Sequence, residues 1–210
     1  ADSVAALEAA FARGVDWVDT APVYGLGVAE RVLRAPLAAH PEVRVFSKAG
    51  FVGDSGVDLS PASVRQQFEG SLERLGRDRL DLYQLHWPDE HVPIESTWEA
   101  MCALRDEGLV GAIGISNHTR AEVERAHRVG RVDMLQLRYS LLDRRAEADL
   151  IPWALEHGAG VLAYSPLASG LLGGRFDPER MAADDWRRTD DRFQLELAAM
   201  PAAIEALRHA

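Results

Sequence analysis

The chain has 210 residues, 47% apolar and 27% charged, which suits an ordinary globular domain with a sizeable buried core. A formal charge of -10 without a broad basic stripe argues against nucleic acid or an anionic membrane as the main partner. The single cysteine, Cys102, excludes a disulfide framework and a cysteine metal site and fits a reducing cytoplasm; no stretch reaches membrane-spanning length or reads as a signal peptide.

In chain order, helix-period segments alternate with short apolar runs of the kind that form buried parallel strands. A helix over Asp2 to Phe11 is followed by Gly14 and a strand over Val15 to Asp19, and a second strand is expected over Val43 to Lys48. Ser60 and Pro61 read as the N-cap and first position of a helix carrying Val64, Phe68, Leu72 and Leu75 on one face. Strands follow over Leu80 to His86, Ala112 to Ser116, Met134 to Leu137 and Val161 to Ser165. Thr119 and Glu122 form a capping box, and Gly14, Gly108, Gly130 and Gly158 stand where helices end and strands begin. The Asp/Arg-rich stretch from Arg175 to Arg192 reads equally as a solvated loop and as a phosphate contact.

The polar residues decide between the two ways of arranging six such units. Asp19, Lys48, His86, Asn117, Gln136 and Tyr164 each stand at or just past the C-terminal end of a strand. In a (β/α)8 TIM barrel those ends converge on one site, whereas an open doubly wound sheet spreads them along a crevice. No G-x-G-x-x-G follows a strand, so a Rossmann cofactor site has no support. The expected fold is therefore α/β, a single barrel domain over residues 1–210.

Lys48 is the only lysine among 23 basic residues, and Asn117 is the only asparagine. Both residues have adenine-rich codons, and their survival in a chain otherwise purged of them points to sites that need them. An ammonium is a compact point charge with a tunable pKa, unlike a guanidinium. Asp19 and Tyr24 lie five residues apart around one strand end, and Lys48 and His86 come from the next two strands. An ammonium beside a tyrosine favours the phenolate and makes the phenol a better acid, Asp19 would orient the ammonium, and His86 could bond a substrate oxygen or assist proton transfer. Taken singly, Asp19 could be a helix N-cap, Tyr24 a packed loop residue and His86 a core histidine. Their joint placement favours a proton relay aimed at a carbonyl or alcohol.

The motifs Val18-Asp19-Thr20-Ala21 through Tyr24-Gly25, Phe46-Ser47-Lys48, Leu85-His86-Trp87-Pro88, Gly114-Ile115-Ser116-Asn117, Leu135-Gln136, and Ala163-Tyr164 through Ser169-Gly170 resemble, in order, those of the aldo-keto reductase superfamily. Pro88-Asp89-Glu90-His91 and Tyr139 to Arg144 look most like its bacterial branch related to general-stress reductases and potassium-channel β-subunits. The resemblance implies that Tyr24 is the general acid in NAD(P)H-dependent reduction of aldehydes or ketones, tuned by Asp19 and Lys48, with His86 orienting the substrate and Trp87 lining its pocket. It further implies that Ser116, Asn117 and Gln136, with Asp19 nearby, hold the nicotinamide end and that Tyr164 stacks beneath the ring. Ser165, Pro166, Leu167 and Ser169 would form the pyrophosphate loop, with Arg175 and Arg187 reaching the phosphates. NADPH is the expected cofactor, and NADH stays open because nothing here matches the part of the family that binds the adenosine phosphate.

Family members begin with a strand ahead of the Asp2 to Phe11 helix and continue through an eighth strand and a final helix, so about six of the eight barrel strands are expected here, incomplete at both ends. Two other functions use the same residues: a cofactor-binding redox-sensing or regulatory module with little turnover, and a Schiff-base lyase on Lys48. Asp19 would keep that amine protonated and poorly nucleophilic, which disfavours the lyase. His86, Asp89, Glu90 and His91 lack the spacing of a metal site. Trp17, Trp87 and Trp153 read as core or pocket wall.

Overall fold

The computed structural model describes residues 2–53, 56–173 and 176–208, with side chains through 205. Six strands carry the fold: β1 (Trp17–Asp19), β2 (Arg44–Ala49), β3 (Leu80–Leu85), β4 (Val110–Ser116), β5 (Met134–Arg138) and β6 (Gly160–Tyr164). They stand in sequence order in the sheet, and β1 through β4 pair in parallel, each crossover running through a helix. This is the strand order of a partial (β/α)8 barrel. Each expected strand forms, with ends displaced by at most two residues where the flanking main chain leaves the ladder.

The chain divides into two compact units, residues 1–135 and 136–210. In the first, α1 (Asp2–Phe11), α2 (Val28–Ala39), α3 (Pro61–Leu75), α4 (Ile94–Asp106) and α5 (Arg120–Val129) pack side by side in sequence order. Its core includes Val45, Phe68, Leu82, Tyr83, Trp98 and Ile113, all below 4% exposure. Phe68 meets Tyr83 edge-on at 5.2 Å, and Trp98 donates its indole N–H to the Gly130 carbonyl at 2.8 Å.

The helix starts behave as their sequences require. The Ser60 hydroxyl accepts from the Ser63 N–H with Pro61 at the first turn, and Thr119 and Glu122 cap each other reciprocally. Gly14, Gly108 and Gly158 take the left-handed backbone that favours glycine. Gly130 caps α5 in an extended conformation, φ -168°. Its glycine is explained by packing instead, because a Cβ there would stand 2.4 Å from the Cys102 Sγ.

In the second unit, α6 (Leu150–His157) leads into β6, and α7 (Asp191–Arg208) follows the 3-10 turns Ala168–Gly173, Pro178–Arg180 and Trp186–Arg188. Ala168, Leu171 and Phe193 form its buried centre, with Leu142, Phe176 and Leu197 packed around them. The Arg138 guanidinium donates to the buried Glu196 carboxylate at 2.7 Å and lies 3.6 Å from Asp143, tying the end of β5 to α7. The described part of the segment from 175 to 192, residues 176 to 192, contains two of these turns and the start of α7. Trp153 is buried, while Trp17 is 38% exposed and stacks on Phe46 at 5.1 Å. No described helix is long and apolar enough to cross a membrane.

Candidate active site

Asp19 is the last residue of β1 and Lys48 lies one residue from the end of β2, so parallel pairing of the two strands brings the side chains together. The Lys48 ammonium donates to Asp19 Oδ2 at 2.6 Å and to the Thr20 carbonyl at 2.9 Å. Lys48 is 1% exposed, and burial pushes its pKa below the usual lysine value while Asp19, and then Glu30 from α2, oppose that shift. An ammonium in this position depends on its carboxylate partners.

Tyr24 follows in the turn after β1, where Leu26 and the glycines at 25 and 27 take left-handed backbone and reverse the chain into α2. Lys48 Nζ stands 5.2 Å from the centre of the Tyr24 ring. Tyr24 is 41% exposed and lines, with Asp19 and Thr20, a cleft of about 840 Å³ walled by Val18, Val28 and Leu33. His86, immediately after β3, meets Tyr24 edge-on at 5.7 Å. Burial first and the Lys48 charge second push its pKa down to about 4, so its imidazole is neutral at neutral pH. The first unit thus brings all four of Asp19, Tyr24, Lys48 and His86 together.

Ser116 ends β4, is 1% exposed, and accepts from the amide of Asn117 at 3.0 Å. Asn117 takes the left-handed backbone, φ 62°, which asparagine tolerates better than most residues, and donates to the His86 carbonyl at 2.9 Å. That bond fixes the turn after β4 against the residue that also presents the imidazole. Trp87 is 42% exposed beside it. The Asp89 carboxylate accepts from the Leu59 and His91 backbone N–H groups and so organises its own loop.

In the second unit, Gln136 is buried on β5 and Tyr164 ends β6, its phenol pKa raised mainly by burial. The turn beyond β6 is left-handed at Ser165, Ala168, Ser169 and Gly170, with Pro166 and Leu167 exposed between them. Arg187 donates to the Ser169 carbonyl at 3.0 Å, is held by Asp185 through two nitrogens, and lies over the Phe176 and Phe193 rings. Its guanidinium is thus engaged by its own loop. Arg175 lies outside the described residues.

Three residues near the tetrad have no distinctive sequence signal. Phe51 meets the His86 ring edge-on at 5.2 Å. Gln84 on β3 donates to Asp19 Oδ1 at 3.4 Å. Glu30, fully buried on α2, accepts from the Ser47 hydroxyl at 2.8 Å and from Arg74 Nε at 2.6 Å. Only the pairing of β1 through β3 and the docking of α2 reveal these contacts.

Comparison with known proteins agrees with this architecture. The model of the "Aldo/keto reductase family" matches residues 1–209. Aldo-keto reductase YhdN of Bacillus subtilis is 33% identical over 199 residues, covering 91% of this chain and 60% of its own length. Among solved structures, the glycerol dehydrogenase AKR11B4 from Gluconobacter oxydans superposes with a TM-score of 0.85 at 33% identity, covering 95% of this chain and 65% of that one. An aldo/keto reductase from Klebsiella pneumoniae, solved with NADP and acetate, gives a TM-score of 0.70 at 31% identity, covering 93% and 65%. The chain thus spans about three fifths of the length of the curated relative it matches. With the family model matching residues 1–209 and a curated relative 33% identical across most of this chain, the chain belongs to the aldo/keto reductase family.

Proposed function

We propose that the protein reduces aldehydes or ketones to alcohols with NADPH, using Tyr24 as the proton donor to the carbonyl oxygen. The observation that carries this reading is the buried Lys48 ammonium, 2.6 Å from Asp19 and beneath the exposed Tyr24 ring. As Tyr24 gives up its proton, the ammonium stabilises the phenolate left behind, and Asp19 holds the ammonium in place. A neutral His86 can donate a hydrogen bond to the same oxygen and orient the carbonyl toward Tyr24. Phe51 and Trp87, beside His86, supply apolar wall for a substrate.

Bound NADPH would supply the hydride that reaches the carbonyl carbon. The residues present suit that cofactor: Ser116 and the left-handed Asn117 place a hydroxyl and an amide at the end of β4, where a carboxamide could be held. In the second unit, Gln136 and Tyr164 take the nicotinamide-side assignments that the family resemblance gives them. The turn from Ser165 to Ser169 takes left-handed backbone at Ser165, Ala168 and Ser169, and the family resemblance assigns it to the pyrophosphate. Arg187 supports that turn through the Ser169 carbonyl. We assign both units to one barrel domain.

The test is NADPH oxidation by a reactive aromatic aldehyde, with NADH run alongside. Turnover in the purified protein is expected. Tight cofactor binding with no oxidation under saturating aldehyde would overturn the enzymatic reading in favour of a cofactor-sensing module.

A further inference from the structure

A third polar side chain lies buried beside the Asp19 and Lys48 pair. Gln84 is fully buried on β3, in register with Lys48 on one side and with Gly114 of β4 on the other. Its Nε2 donates to Asp19 Oδ1 at 3.4 Å, the long limit of a hydrogen bond, while Lys48 holds Oδ2 at 2.6 Å. The two oxygens of one carboxylate are thus held from neighbouring strands. The reverse orientation of the amide would set its oxygen against the carboxylate.

One observation argues that Gln84 is more than a polar residue tolerated in the core. Its Oε1 is buried without a hydrogen-bond partner among the described residues, a cost that leucine or methionine of similar length would not carry. Packing alone would favour such a replacement. The neighbouring strand approaches closely: a Cβ at Gly114 would stand 2.8 Å from the Met134 carbonyl and 3.1 Å from Gln84 Cγ.

We propose that Gln84 is a positioning residue for proton delivery, its amide holding the Asp19 carboxylate in the orientation that faces the Lys48 ammonium. The inference rests on the reading of Asp19, Lys48 and Tyr24 given above and adds a member to that group. Asp19 is 24% exposed at its side chain, so a carboxylate released at Oδ1 has solvent to turn toward. The charged or titratable groups facing Lys48 are Asp19 from β1, Tyr24 from the turn after it, Glu30 from α2 and His86 after β3. Loosening Asp19 leaves the ammonium with the weaker of its two carboxylate partners.

Because Lys48 is the only lysine, selective ¹³C labelling of lysine gives one side-chain signal to titrate. In Gln84→Met, which keeps the length and removes the donor, the Lys48 pKa is expected to fall by about one unit, with the alkaline limb of the kcat/KM profile moving the same way. A purely structural role would lower the melting temperature and leave that titration in place. An unchanged Lys48 titration in folded Gln84→Met overturns the proposal. Should that variant not fold, the side-chain amide of Gln84 in the unaltered protein still decides: its NMR shift is expected to change as Lys48 loses its proton, and a flat response overturns the proposal. Tyr24→Phe, assayed in parallel, separates the two claims, since retained turnover there defeats the reading of the site whatever Gln84 does.

Discussion

At the scale of single residues, Lys48 shows how burial and charge combine. Its ammonium is out of water, paired with Asp19 and set under the Tyr24 ring, so its geometry depends on a small head group. Lys48→Arg preserves the charge and still should lower kcat/KM by at least about tenfold, because a planar guanidinium cannot occupy the same point; steady-state kinetics with full activity would contradict this. His86 carries the opposite lesson. Its native pKa of about 4 lies below the 6.5 of an exposed imidazole, so an unfolded chain takes up a proton that the native state refuses. His86 therefore contributes stability in full above about pH 6.5, and that contribution is lost as pH falls toward 4, by at most about 3 kcal/mol. Urea unfolding across that window should show a shallower acid loss in His86→Gln than in the parent; equal slopes would refute the assignment. Lys48, Asp19 and His86 were legible from strand-end placement. Gln84 and Glu30 were not, since one sits inside an apolar strand and the other inside a helix, and only the fold supplies their partners.

At the scale of elements, the helix starts and strands could be read because their physics is local. Ser60 with Pro61, and Thr119 with Glu122, satisfy N–H groups within a few residues of themselves. The strands read as apolar runs because parallel strands are covered on both faces. Gly130 was placed correctly for a non-local reason, the Cys102 sulfur of α4. Gly130→Ala should therefore destabilise the fold by about 1–3 kcal/mol, as overpacking does, and Cys102→Ala should recover part of that loss. Independent, additive effects in a chemical denaturation cycle would contradict the contact. His40 links α1 to the end of α2, bonding Glu8 at 2.9 Å and Glu42 at 3.2 Å, which together raise its pKa. A raised native pKa gives stability that is complete below the unfolded value of 6.5 and is lost as pH climbs through the native one. The stability gap between the parent and His40→Gln should narrow as pH rises above about 6.5. The 3-10 turns between β6 and α7 had no periodicity to announce them, and the Asp185 to Arg187 pairing forms only in the folded turn.

At the scale of the whole molecule, the strand order, the family match and the clustering of four polar residues in the first unit agree on a reductase scaffold. A cofactor that binds only the native state should stabilise it by about 2.7 kcal/mol at one hundred times its Kd, so NADPH is expected to raise the melting temperature of both the parent and Tyr24→Phe. In the proposed mechanism the hydroxyl serves proton transfer and not the holding of the cofactor. The most direct measurement of the central claim is accordingly NADPH oxidation with a reactive aromatic aldehyde in the parent and in Tyr24→Phe, at matched cofactor occupancy. The account expects Tyr24→Phe to bind NADPH with nearly unchanged affinity and to lose turnover by about 10²–10⁴-fold. Turnover that survives without the hydroxyl would contradict it.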